Sequence, residues 1–141
     1  MTPIDKFQGE FRWLSNFWPA QVEHDGITYP TVEHAYQAAK SLVRAERELI
    51  AEAGTPGKAK RMGRMVTLRP DWDTLKFPTM LLLVRRKFAH HHTLKRQLLA
   101  TYPRPLIEGN HWGDTYWGVC RGRGENKLGL ILMQVRDELR A

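Results

Sequence analysis

Glu33, Gln37 and Lys40 stand four and three residues apart in the run Tyr29-Pro30-Thr31-Val32-Glu33-His34-Ala35-Tyr36-Gln37-Ala38-Ala39-Lys40. At about 100° per residue they share one narrow helical stripe with Arg44. Val32, Ala35, Ala39, Leu42 and Val43 fall on an adjoining apolar strip, with Tyr36 on the border. A carboxylate can stabilise positive charge or move a proton, and an amine that loses its proton is a nucleophile. Carried at the edge of a buried helix face, the two groups could line a pocket. The alternative is a solvated polar stripe on an amphipathic helix.

A second group of chemically able residues lies in Leu106-Ile107-Glu108-Gly109-Asn110-His111-Trp112-Gly113-Asp114-Thr115-Tyr116-Trp117-Gly118. Two carboxylates, Glu108 and Asp114, sit among three large aromatics and three glycines. Aromatics on a loop can wall a site for a flat ligand, and a carboxylate beside apolar rings can act as an acid. A surface loop whose Trp side chains plug the core has the same composition. Further on, Gly122-Arg123-Gly124-Glu125-Asn126-Lys127-Leu128-Gly129 precedes the last helix. Glycine, cationic side chains and a helix N-terminus suit an anion there, although the Gly-Lys-Ser/Thr ending of a P-loop is absent.

Other features carry less. Three consecutive histidines, His90-His91-His92, cannot all face one metal from a helix, and no suitably spaced carboxylate completes a site. Cys120 reads as a buried thiol. Trp72, in Asp71-Trp72-Asp73, either stacks on a base or anchors the helix that follows.

These residues must be positioned by elements the sequence also outlines. Residues 7–29 read as extended, and Gln21 to Tyr29 as a hairpin turning at Asp25-Gly26. A helix capped by Thr31 is expected to run to Ala53 and to end in a left-handed Gly54. Thr55-Pro56 starts a short basic helix reaching about Met62. Another helix is expected over Asp73–Ala89, started or kinked by Pro78. A short one spans Leu94–Thr101, and a last one, over Leu128–Leu139, turns Leu128, Ile131, Leu132, Val135 and Leu139 inward. The fold class is therefore mainly α with a small antiparallel β element near the N-terminus (α+β).

Length and composition narrow the function classes. A chain of 141 residues is most simply one domain with one sizeable core. A single cysteine excludes an internal disulfide or a thiolate zinc cluster and suits a reducing cytoplasm. No apolar run approaches the roughly 20 residues of a membrane span, and the start carries no apolar signal segment. A formal charge of +7 and a pI near 9.9 favour anionic partners, whether phosphorylated small molecules or nucleic acid. The densest basic stretch is Lys58-Ala59-Lys60-Arg61-Met62-Gly63-Arg64. It lacks a recognisable nucleic-acid motif.

The chain resembles the NADAR (YbiA-like) family. The resemblance rests on Leu14-Ser15-Asn16-Phe17, Asp25-Gly26, the run Thr31 to Lys40, Asp71-Trp72 and Lys87-Phe88. It continues through Leu106-Ile107-Glu108, Asp114-Thr115-Tyr116-Trp117-Gly118 and Asn126-Lys127-Leu128-Gly129. These segments follow one another in order along nearly the whole chain, as one NADAR domain over residues 1–141.

What the resemblance implies is an N-glycosidase of mainly helical fold, using no metal or cofactor. Its substrate would be a phosphorylated ribosylamino-pyrimidine intermediate of riboflavin synthesis, cleaved to release ribose 5-phosphate. The alternatives are removal of ADP-ribose from guanine in nucleic acid, and a non-catalytic module that holds ADP-ribose or NAD. Breaking an N-glycosidic bond builds positive charge at the anomeric carbon. Glu33, Glu108 and Asp114 are the candidate carboxylates for stabilising it or for moving a proton. Lys40 is the candidate amine for a Schiff base with the opened sugar, its deprotonation assisted by burial or by Arg44. Tyr36, Trp72 and Trp117 are candidates for stacking on base or ribose. Asn16, Gln37, Asn126 and the 121–127 loop are candidates for other substrate contacts, sugar and phosphate among them. His111 receives no role.

Overall fold

The structure, a computed structural model, describes residues Met1–Ala141. It divides into two compact units, one of Met1–Ser15 with Phe88–Ala141 and the other of Asn16–Lys87.

The unit of residues 16–87 begins with a hairpin of β1 (Val22–His24) and β2 (Ile27–Tyr29), in antiparallel register Val22↔Tyr29 and His24↔Ile27. Asp25 and Gly26 both take positive φ, 49° and 81°. A two-residue turn of that hand matches the twist of the strands it joins. Helix α1 (Val32–Ala39) follows, with Thr31 in extended conformation accepting the His34 N–H on its hydroxyl. Every residue of α1 is buried, including Glu33, His34 and Gln37. The imidazole of His34 bonds the Thr31 hydroxyl and the Ala53 carbonyl, which makes it a structural histidine.

The expected long helix from Thr31 to Ala53 is broken. Residues 40–43 are not helical, and α2 runs over Arg44–Ala51. The break is held from outside the segment. Ser41 pairs with Leu68 in an isolated antiparallel bridge. The Glu46 carboxylate accepts from the Ser41 hydroxyl and from the backbone N–H and hydroxyl of Thr67. Leu42 and Val43 are consequently exposed rather than part of the apolar strip. Gly54 is also not left-handed. Helix α3 (Pro56–Met62) starts as its sequence requires, with the Thr55 hydroxyl accepting the Lys58 N–H and proline at the first helical position. Helices α2 and α3 both pack on α1. Helix α4 (Trp72–His90) carries Pro78 in its interior, so Pro78 does not start it. Its last residues, from Phe88, belong to the other unit.

In that other unit, residues Gly9–Leu14 form a 3-10 helix where an extended segment was expected. Helix α5 (His92–Ala100) packs against α6 (Lys127–Arg140). Leu94, Leu98, Leu106, Leu128, Ile131, Leu132 and Val135 are buried there, whereas Leu139 is only half-buried. Arg136, also buried, donates to the Thr101 hydroxyl and the Arg104 carbonyl. Two short strands, β3 (Gly109–Asn110) and β4 (Val119–Cys120), pair in parallel. The observed class is thus mainly helical with a small antiparallel sheet near the N-terminus, plus one short parallel pair that the sequence did not announce. No helix is long and apolar enough to cross a membrane.

Candidate active site

Six of the ten candidate site residues belong to the unit of residues 16–87: Asn16, Glu33, Tyr36, Gln37, Lys40 and Trp72. Glu33 lies in the first turn of α1, where the dipole favours the anion, and is only 8% exposed. Its backbone N–H donates to the Asn16 carbonyl at 3.1 Å. One turn on, Gln37 Nε2 donates to Glu33 Oε2 at 2.7 Å. The other end of that carboxamide, Oε1, is buried with no hydrogen-bond partner. Such an acceptor costs about 1–3 kcal/mol.

Lys40 ends the helix, half-buried, with Nζ 5.7 Å from the centroid of the Tyr36 ring. Burial pushes its ammonium below the ordinary lysine range; Glu33 pulls the other way, and Arg64 and Lys60 add to the lowering. The cations acting on Lys40 are therefore those of α3 and the residue just beyond it. Arg44 is not among them. It pairs with Glu48 at 2.9 Å on the exposed side of α2. The Tyr36 and Trp72 rings pack at 5.2 Å and 57°, and each is 7% exposed. Trp72 both anchors the start of α4 and walls Tyr36. The Asn16 side-chain amide lies 3.4 Å from Met80 Sδ, so its donor is turned to a thioether.

The remaining four candidates, Glu108, Asp114, Trp117 and Asn126, belong to the other unit. Asn126 has a left-handed backbone, φ 54° and ψ 40°, before α6. Its carboxamide accepts the Glu108 N–H at 2.9 Å and donates to the Leu106 carbonyl at 3.0 Å, tying 106–108 to the helix start. Asn110 Nδ2 donates to Glu108 Oε2 at 3.1 Å and to the Asp114 carbonyl at 2.9 Å, while its Oδ1 accepts the Asp114 N–H. Asp114 Oδ1 in turn accepts the backbone N–H groups of Tyr116 and Trp117, at 3.1 and 2.9 Å. One oxygen serving two amides makes Asp114 the organiser of the turn that presents Trp117, whose ring meets Tyr116 edge-on at 4.8 Å. Gly118 leaves the room that Glu108 needs. A Cβ there would overlap Glu108 Oε2 and the Glu108 carbonyl. Trp112 is half exposed, so it does not plug the core. Cys120 is half-buried rather than buried.

Asn110 received no role from the sequence, although an Asn in a Gly-rich loop is the residue type that bonds nearby backbone. Lys87, 1% exposed and held down to about 7 by burial, entered the sequence reading only within the Lys87-Phe88 match and received no role. No group of three or more His, Cys, Asp or Glu side chains is placed to hold a metal ion.

A family model described as the NADAR domain matches residues 5–140. The chain belongs to the NADAR family. It is 43% identical to the N-glycosidase YbiA of Escherichia coli over 131 residues, covering 89% of this chain and 80% of that one. It is 38% identical to the riboflavin biosynthesis protein VVA0006 of Vibrio vulnificus over 130 residues, covering 90% of this chain and 35% of that one. The NMR structure of the E. coli protein YbiA superposes with a TM-score of 0.88 at 38% identity, covering 99% of this chain and 85% of that chain. The helix-dominated architecture is thus the NADAR architecture, and the Glu33–Gln37–Lys40 helix lies within the matched span.

Proposed function

We propose that this chain cleaves the N-glycosidic bond of phosphorylated ribosylamino-pyrimidine intermediates of riboflavin synthesis and releases ribose 5-phosphate. The NADAR family and the name of its YbiA relative make it a hydrolase acting on N-glycosyl compounds. The Vibrio relative's name supports the riboflavin substrate. One observation carries the mechanism. A carboxylate in the first turn of α1, Glu33, and an amine at its C-terminal end, Lys40, stand about two turns apart with Gln37 between them, and burial holds Lys40 below the ordinary lysine range.

In this reading Glu33 acts as an anion that stabilises positive charge at the anomeric carbon. Lys40, as the free amine, adds through its nitrogen lone pair to C1 of the ring-opened glycosylamine. The C1–N bond to the pyrimidine then breaks, both protons of the Lys40 amine pass to the leaving nitrogen, and a Schiff base joins Lys40 to the sugar. Water adds at C1 and the Lys40 nitrogen leaves, giving ribose 5-phosphate and the free amine. One water is consumed overall. Tyr36, Trp72 and Asn16 are the substrate contacts proposed from the same unit. From the other unit, Glu108 and Asp114 are proposed as carboxylates and Trp117 and Asn126 as substrate contacts.

The test is sugar release, measured separately with the ribosylamino-pyrimidine phosphate and with an oligonucleotide carrying ADP-ribosylated guanine. Ribose 5-phosphate from the first is the expected result. Sugar release only from the oligonucleotide would move the substrate to modified nucleic acid. No release from either would leave a binding module. Borohydride added during turnover should trap a protein–sugar adduct that Lys40→Ala does not form.

A further inference from the structure

The Gln37 carboxamide is turned to Glu33 at one end and buried at the other. Its Nε2 is spent on Glu33 Oε2 at 2.7 Å, and its Oε1 is buried without a partner. The whole residue is only 4% exposed. What covers it is the end of α3. A Cβ at Gly63 would overlap Gln37 Oε1 and come within 2.7 Å of Gln37 Cδ. The backbone there, φ −61° and ψ −20°, is ordinary right-handed helix open to any residue. Glycine at 63 is therefore explained by the space it leaves, not by a conformation only glycine adopts.

We infer that Gln37 is a positioning residue for Glu33, and that Gly63 is the seat that holds its carboxamide against the carboxylate. The inference deepens the glycosidase reading and rests on it for the role of Glu33. Seated this way, the amide has its nitrogen end against Glu33. It presents a donor to Glu33, which fixes the carboxylate rotamer and favours the ionised form that charge stabilisation at an anomeric carbon requires. The cations in range of the stripe, Lys40 at the end of α1, Lys60 on α3 and Arg64 beyond it, favour the same form. An orphaned acceptor at Oε1 is kept because the arrangement serves the neighbouring carboxylate rather than stability.

Two substitutions separate this role from substrate binding and from packing. Gly63→Ala meets the far end of a flexible side chain, so it should displace the amide while α3 stays in place. Gln37→Met keeps the length of the side chain and deletes both polar ends. With the ribosylamino-pyrimidine phosphate, both should lower kcat about 10- to 100-fold with KM little changed, and Gln37→Met should keep or raise the melting temperature. The second readout needs no substrate. In 15N-labelled protein, one Gln37 side-chain amide proton should resonate downfield and exchange slowly, and should lose both properties in Gly63→Ala and in Glu33→Ala. That measurement decides the positioning role even if neither substrate turns over, in which case only the glycosidase reading fails. An unshifted amide proton in a folded Gly63→Ala protein would overturn the seat. A Gln37→Met protein with full kcat and a raised KM would overturn the positioning role and return Gln37 to substrate contact.

Discussion

Glu33 and Glu108 are held by the same chemical device built from different material. Each carboxylate accepts from a carboxamide, Gln37 for Glu33 and Asn110 for Glu108, and each arrangement needs a glycine, Gly63 for the first and Gly118 for the second. On α1 the carboxamide is four residues away, and the helix alone sets the spacing. In the loop it is two residues away, and the spacing is set by bonds from Asn126, 18 residues on, and by the Asp114 turn. The helix-mounted acid depends on one neighbouring position, Gly63, for the seating of its partner. A loop-mounted acid depends on several long-range hydrogen bonds, each of which can be removed singly.

The largest effect should come from the helix. Lys40→Ala is expected to lower kcat about 10⁴-fold or more and to abolish borohydride trapping, with little loss of stability. Glu33→Gln should cost about 10²–10⁴-fold. Because burial holds the Lys40 ammonium below the ordinary lysine range, the free amine appears at lower pH than for an exposed lysine. The limb of the kcat profile that rises with pH should therefore lie below the usual lysine value of 10.5. A rise centred at that value would show that Lys40 is not the nucleophile.

The same unit holds a second amine lowered by burial, Lys87, at about 7. Between pH 7 and 10.5 the unfolded chain binds a proton at this lysine and the folded chain does not. Stability should therefore rise with pH across that window and level off below it. Lys87→Met should flatten that slope, read from denaturant melts at several pH values. An unchanged slope would mean that Lys87 is protonated in the fold. The contrast with Lys40 is informative. The half-buried amine stands among the groups proposed to act, and the fully buried one does not.

On the loop, Asp114→Ala should leave the Tyr116 and Trp117 amides without their acceptor and cost about 1–3 kcal/mol. Activity should fall with the order of the turn, seen as increased hydrogen exchange over 114–117. Trp117→Ala should lower turnover or binding far more than the melting temperature. Equal loss of both would make Trp117 a packing residue and widen the difference between helix and loop.

Much of the helix side was legible in the sequence because its determinants are local. Thr31 and Thr55 announce their caps, Asp25-Gly26 announces the hairpin, and the i, i+4 spacing places Gln37 on Glu33. The break at residues 40–43 was not legible. Leu42 and Val43 continue the apolar periodicity of α1, and what interrupts it is Glu46 gripping Ser41 and Thr67, a contact across 21 residues. The same reason hid Gly63. Its importance comes from α3 packing on α1, which no pattern near residue 63 encodes. In the loop, the residue types at Glu108, Asp114 and Asn126 stood out, but their division of labour did not. Asp114 and Asn126 spend their oxygens on backbone amides, a role visible only once the turn is closed.

The smallest expected effect bears on that break most directly. A continuous helix would put Arg44 on the stripe of Glu33, Gln37 and Lys40. In the structure Arg44 opens α2 and makes an exposed i, i+4 pair with Glu48. Exposed pairs of this kind contribute about 0.3–0.5 kcal/mol. Arg44→Ala should therefore change stability by no more than that, and kcat/KM by no more than about twofold. A large loss of activity would place Arg44 beside Lys40 after all and restore the unbroken stripe. A silent substitution assigns the electrostatic pressure on Lys40 to Lys60 and Arg64 on the α3 side. Lys60→Ala and Arg64→Ala should then each move the rising limb of the kcat profile to higher pH, because each removes a positive charge that opposes protonation of Lys40.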